Sequence, residues 1–397
     1  MKNGKFRILI ICFILIGILF FSNDFGLINI EKEAIITACA IDITDDGLYE
    51  VTVQIAVPEA TNTSTENTKA QLSGKGTTVG SAIKNTGDVS GWFPQLAFCN
   101  LIILGSKVSQ TNVISAVDYF SKTLRTQDSA QIILAENTAK ELLNKTTPLD
   151  NISSFAIQKL LFKNPGFDTD VATNDIKNFC EGHYSSNSST FMPIVKVLNA
   201  QSSSQSQEQT AQGNSGSSGD GNSTKGKNYF DASTTALFVN GIKVGELNKQ
   251  LTHTFNMLSR NVKGTTIPIN DVAKQNDNYL LSVLKCTPKI KIKADSTNVY
   301  LNIKVDIYCK IADHNSDDPN ASLENNKPLP STLTKKAEEL LTQRVYDLIE
   351  VSKQTNCDFL SIQNRLYRYC HKYYKLYKDN YLQKLVTTVT LNISGQK

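Results

Sequence analysis

The sequence predicts a mixed α+β protein of two to three domains, with mixed, largely antiparallel sheets and packed helices, behind an N-terminal membrane helix. Three observations carry this. The chain has 397 residues, more than one hydrophobic core usually fills. Several segments alternate apolar and polar residues with a period of two, and others repeat at three and four. A polar stretch from Asn199 to Asn228 separates two such sets. Hydrophobic residues make up 40% and charged residues 20%, a globular composition. The net charge of +4 is too small to argue for nucleic acid.

The first residues set the compartment. Lys2, Lys5 and Arg7 precede an unbroken apolar run, Ile8 to Phe21. No small-x-small cleavage site follows, and apolar character resumes at Phe25, Leu27, Ile28 and Ile30. We expect residues 1–28 to be a retained membrane anchor with its N-terminus cytoplasmic and the remainder of the chain outside. Cys12 lies inside the run behind Ile11, so no lipidation site is expected. The eight cysteines include no C-x-x-C pair, and seven lie outside the run. An odd number argues against a full disulfide framework. Cys39, Cys99 and Cys309 sit in apolar runs, where Cys acts as a small hydrophobe.

Residues 29–198 form the expected first body. Ile35 to Ile43 and the alternating stretch Tyr49 to Val57 flank a turn at Asp45-Asp46-Gly47. Glu59 to Lys75 reads as a polar loop and Thr77 to Thr86 as a short helix. Leu96 to Leu104 reads as a central strand, Val113, Val117 and Phe120 as one helix face, and Ala130 to Ala135 as a strand. A helix starts near Thr138 and stops at Pro148. Residues 150–198 are the least legible. Residues 199–228, rich in Ser, Gln and Gly, are expected to be a disordered linker.

Residues 229–397 form the expected second body. Asn240-Gly241 is a two-residue hairpin turn between Ala236–Val239 and Ile242–Leu247. Leu251, Phe255 and Leu258 make a helical stripe. Val299, Leu301, Ile303, Val305, Ile307 and Cys309 alternate as a strand. Leu333, Ala337, Leu340, Leu341, Val345, Leu348 and Ile349 mark a long helix, capped by Ser331 or Thr332 after Pro330. A second long helix is expected from Asp358 to Lys378. A last strand carries Leu385, Val389, Leu391 and Ile393.

The search for chemistry finds little. Gly74-Lys75-Gly76-Thr77-Thr78 lacks the first glycine of a phosphate-binding loop and reads as a loop entering a helix. Cys180 and His183 are near one another, yet no second pair completes a metal set, and spacing alone does not make a nucleophile. His253, His314 and His371 stand apart in sequence. Asp313, His314, Asp317 and Asp318 lack the alternating acidic ladder of a calcium loop. We therefore expect no catalytic residues, no cofactor and no metal. From Arg365 to Lys384, basic residues interleave with tyrosines. Arg365, Arg368, Lys372, Lys375, Lys378 and Tyr381 are candidates for a surface that meets a protein partner or anionic lipid headgroups.

These segments together resemble the Ger(x)C family, the C subunits of bacterial spore germinant receptors. The carriers are the opening hairpin AIITACAIDITDDGLYEVTVQIAVP and GTTVGSAIKN followed by NLIILGSKVS, a strand ending in Gly105. The LRTQD run at Arg125, ALFVNGIKVGELNKQLTHTFNMLSRNVKGTTIPI and the C-terminal LTKKAEELLTQRVYDLIEVSKQTNCDFLSIQNRLYRY complete them. The resemblance implies a non-enzymatic protein on the outer face of the spore inner membrane of a Gram-positive bacterium. It would act with two integral-membrane partners, the A and B subunits, in the response to nutrients. Typical members carry a lipid-modified Cys, absent here, and the Trp expected near the C-terminal helix is replaced by Tyr381. An extracytoplasmic solute-binding protein serving a transporter is the alternative. A cell-wall hydrolase would need a paired-carboxylate or zinc constellation that the sequence does not show.

Overall fold

The computed structural model describes residues 11–14, 33–56, 69–123, 126–161, 169–199, 228–272, 275–315 and 329–395. Among these, no helix is long and apolar enough to cross a membrane. Most of the apolar run Ile8 to Phe21 lies outside the described residues, and so does 200–227 within the expected linker.

The first sheet is nine-stranded and mixed. Strand β1 (Glu33–Ile43) turns at Gly47 into antiparallel β2 (Tyr49–Ala56), which pairs with β3 (Lys69–Gly76). On its other side β1 runs parallel to the short β4 (Phe93–Gln95) and to β5 (Leu101–Leu104). Strands β6 (Gln131–Ala135) and β7 (Ser189–Asn199) continue the parallel order. Then β8 (Asn228–Val239) and β9 (Ile242–Leu247) close the sheet antiparallel.

Helices cover both faces of this sheet, which explains its unbroken apolar runs. Ile102 and Leu104 pack with α1 (Val79–Ser90), α3 (Val113–Lys122) and α6 (Ile176–His183). The short α2 (Ser106–Ser109) follows β5. Leu101 and Ile103 point the other way, onto α4 (Ala139–Asn144) and α5 (Ser153–Leu161). Thr78 caps α1 in a reciprocal capping box with Ser81.

The second sheet orders β10 (Thr266–Ile269), β11 (Asn278–Ala294), β12 (Val299–Asn315) and β13 (Leu385–Gly395). Strand β13 runs parallel to β12, so the chain crosses over between them through three helices. These are α8 (Ser331–Thr355), α9 (Ile362–Tyr369) and α10 (His371–Tyr377). Helix α7 (Lys249–Ser259) and α8 bury the apolar face of the sheet. The opposite face carries Lys289, Lys291 and Lys304, the polar half of the alternation.

The structure departs from the sequence reading at several places. Lys69–Gly76 is a strand rather than a loop. At the sheet edge it pairs with β2 through backbone and through the Thr52–Ser73 hydroxyl pair at 2.8 Å, and Gly74 admits α1 so closely that a Cβ there would lie 2.3 Å from the Ala82 carbonyl oxygen. Leu96–Phe98 is a 3₁₀ turn ahead of β5. Helix α8 starts at Ser331 with Pro330 at the cap position and no side-chain cap. The helix expected over 358–378 begins later and breaks at Cys370 into α9 and α10. The two sheets do not divide at 199–228. Asn199 and Asn228 are strand partners, so the segment between them joins neighbouring antiparallel strands of one sheet.

Candidate functional site

The two sheets meet where α8 ends. Asn356 takes a left-handed conformation (φ 50°) that stops the helix, as Asn tolerates. The next residues, Cys357 to Gln363, run against the start of β7. Cys357 is fully buried and its thiol points at the carbonyl oxygens of Phe238 (3.5 Å) and Thr190 (3.9 Å). Phe359 sets its ring edge against Phe255, which in turn meets Phe191 of β7.

Asp358 is the polar centre of this joint, 2% exposed. Its Oδ1 accepts the backbone N–H of Ile362 at 2.7 Å. Its Oδ2 accepts from the Gln363 N–H (2.8 Å), the Asn187 amide (2.9 Å) and the Tyr381 hydroxyl (3.0 Å). The Asp358 N–H donates to Ser189 Oγ at 3.0 Å. Burial pushes the carboxyl up to about 6, against the hydrogen bonds that favour its charged form. Gln363 extends the network: its amide donates to the Lys378 carbonyl oxygen, and its Oε1 accepts from Ser186 Oγ at 2.6 Å. Asn187 and Ser186 thus join the first sheet to the crossover helices of the second.

Beside the joint a cleft of about 730 Å³ opens between α6 and α9–α10. Its walls present Asn178, Glu181, Ser185, Ser361 and Asn364, with the rings of Tyr367 and Tyr374 at one edge. Those rings meet edge to face at 5.0 Å. The lining offers amides, hydroxyls, aromatic faces and the carboxylates of Glu181 and Asp358, and among the described residues no Lys or Arg. Such a surface can hold a polar group by hydrogen bonds.

The other candidates are placed as follows. Cys180 and His183 share α6. Burial raises the thiol and lowers the imidazole, so neither is held in the charged form a thiolate–imidazolium pair requires. His314 is not alone: its Nε2 lies 2.8 Å from Asp277 Oδ1 and its ring stacks on Tyr279 at 3.9 Å. Among the described residues no group of three or more His, Cys, Asp or Glu is placed to hold a metal ion.

Arg368, Lys372, Lys375 and Lys378 are exposed along α9, α10 and the turn after them, and Arg365 is half-buried. Tyr381 is not on that surface. It is 6% exposed, with its hydroxyl turned inward to Asp358. Sequence reasoning took it with the basic stretch because Tyr381 follows Lys378 so closely. The 23-residue separation from Asp358 gives no periodic signal. Asn187, Ser189, Asp358 and Gln363 were also missed, for the same reason.

This two-sheet body has known relatives. The family model described as "Spore germination protein N-terminal domain" matches residues 27–197, and that described as "Spore germination B3/ GerAC like, C-terminal" matches 233–395. The chain belongs to the Ger(x)C family of spore germination proteins. The solved structure titled "Crystal Structure of the GerBC protein" superposes with a TM-score of 0.52, covering 90% of this chain and 97% of that one at 15% identity. At that identity the likeness is one of fold. No curated protein matches the sequence. The boundary between the two matched segments falls within the β7–β8 pair, so both segments contribute strands to the first sheet.

Proposed function

We propose that this chain is the non-catalytic C subunit of a nutrient germinant receptor. It docks with integral-membrane A and B subunits on the extracytoplasmic face of the spore inner membrane, held there by residues 1–28. The ordered pair of family matches over 27–197 and 233–395 carries this reading. The joint around Asp358 supports it, because a network shared by both sheets lets the body present its surfaces to partners as one unit. The exposed basic residues Arg368, Lys372, Lys375 and Lys378 are the surface we assign to those partners or to headgroups. Deletion of the gene, with its paralogues also removed, is expected to abolish nutrient germination while leaving germination by a non-nutrient trigger intact. Normal germination of such spores on every nutrient tested would refute the reading.

The cleft beside α6 favours a second reading, capture of a polar solute for a transporter. Gene neighbourhood separates the two. Genes for two polytopic proteins beside this one support the receptor, and an ATP-binding-cassette operon supports solute capture.

A further inference from the structure

Strands β1, β5, β6 and β7 are parallel, so they all begin at one edge of the first sheet. The described body also begins there, at Glu33, whose strand partner is Phe93. Around β4 the chain leaves large apolar side chains in solvent. Val89 is 83% exposed, Trp92 48%, Phe93 53% and Phe98 56%. Trp92 and Phe93 border a groove of about 500 Å³ whose floor includes Ile83, Pro94, Leu96 and Tyr119. Trp92 and Phe93, half-exposed side by side at this groove, mark a contact surface, and the exposed Val89 and Phe98 flank them in sequence.

The length of chain before Glu33 decides what covers it. With residues 1–28 as the anchor, five peptide steps separate Ile28 from Glu33, at most about 18 Å when fully extended. The headgroup region beyond the hydrocarbon is roughly 5–8 Å deep on each side. Phe93 pairs directly with Glu33, so the patch cannot move far from that layer. Trp and Phe suit it, because an aromatic ring, amphipathic in Trp, is favoured where acyl chains give way to headgroups. Lys84 and Asp88 both border the groove with opposite charge, so contact there rests on apolar area rather than on net charge. The link into the basic helices reaches this same end of the sheet. Asp358, which leads into α9, bonds Ser189 at the first residue of β7.

We propose that Val89, Trp92, Phe93 and Phe98 form a second membrane contact, seated at the headgroup–acyl boundary of the outer leaflet. It fixes which face of the body meets the bilayer. The proposal rests on residues 1–28 being a retained anchor, and its test keeps the two apart.

Trp92 is the single tryptophan of the chain, so intrinsic emission reports the patch directly. The full chain is reconstituted in phosphatidylcholine–phosphatidylglycerol vesicles, with bromine carried on the lipid near the headgroup. Co-flotation of chain and vesicles reads the anchor. Quenching of Trp92 by lipid-borne bromine against quenching by aqueous acrylamide reads the patch. The proposal predicts co-flotation, loss of more than half the emission to bromine, and weak quenching by acrylamide, all unchanged by high salt. The Phe93→Ser/Phe98→Ser variant, shown folded by circular dichroism, should still float while Trp92 becomes open to acrylamide. Three results would overturn the proposal. In one, the chain floats but bromine leaves Trp92 untouched, so the anchor stands and the patch is free. In the second, the chain fails to float. In the third, Trp92 is shielded only when polytopic partner subunits are added, which makes the patch a protein interface.

Discussion

The Tyr381 hydroxyl donates a 3.0 Å hydrogen bond to the buried carboxylate of Asp358, joining the turn before β13 to the link between α8 and α9. Asn187, from the loop that leads into β7, donates to the same oxygen. One carboxylate therefore joins three distant parts of the chain, beside the apolar core that Leu237 and Leu247 of the first sheet share with the second.

Asp358→Ala should be costly. It leaves the backbone N–H groups of Ile362 and Gln363, the Asn187 amide and the Tyr381 hydroxyl without their acceptor. A loss of roughly 3 kcal/mol is expected from unsatisfied buried donors. Tyr381→Phe, which deletes one donor, should lose about 1 kcal/mol. Urea unfolding of both variants and of the double variant measures the terms and their coupling. Strict additivity would contradict a shared network.

The same carboxyl gives a pH dependence of stated sign. Its folded value of about 6 lies above that of an unfolded Asp. Between roughly pH 4 and 6 the folded state therefore binds more protons than the unfolded state. The contribution of Asp358 to stability falls as pH rises through that window, and the full penalty is present above it. The stability of the wild type relative to Asp358→Ala should therefore grow as pH is lowered from 7 to 5, by an amount on the order of 1 kcal/mol. A difference that shrinks on acidification would show that the carboxyl is not raised.

Gly74→Ala should destabilise more than a change at a turn glycine. The added Cβ would meet backbone, 2.3 Å from the Ala82 oxygen and 2.8 Å from the Thr86 nitrogen, so α1 must move off the sheet. A cost of about 2–3 kcal/mol is expected. Gly47→Ala, at a positive φ but with open space around it, should cost about 1 kcal/mol. Thermal unfolding of the pair checks the order.

The thiols should be silent in the native state. Cys39, Cys99, Cys286, Cys309 and Cys357 are buried, and burial raises Cys286, Cys309 and Cys357 to about 12, about 11 and about 12. Alkylation at neutral pH followed by mass spectrometry should label none of these five until denaturant is added.

Charge reversal at Arg368, Lys372 and Lys375 separates surface from scaffold. All three are exposed, so stability should change by less than about 0.5 kcal/mol per site. Germination in the variant strain should fall if this surface meets a partner or headgroups. Unchanged germination would move the docking face elsewhere.

Much of the fold was legible because its signals are local. The hairpin at Asn240-Gly241 is announced by two residues that accept positive φ, 52° and 77° in the structure. The long β12 is announced by its alternation, and α8 by its stripe. Strand β3 was hidden because an edge strand needs few apolar residues, and the break at Cys370 because basic and tyrosine residues continue smoothly through it. The candidate site was the least legible part. Asn187, Asp358, Gln363 and Tyr381 are ordinary polar residues in sequence, and only the docking of one sheet on the other's crossover helices brings them together. Tyr381 shows the cost of reading composition alone: the basic residues near it face water, while its hydroxyl turns into the core.

Affinity purification of the tagged full chain from detergent-solubilised spore inner membranes tests the central claim most directly. The account predicts that two polytopic membrane proteins are recovered with it in comparable amounts, and that charge reversal on α9–α10 reduces their recovery. Recovery of the chain alone, or its presence only in the soluble fraction, would contradict the account.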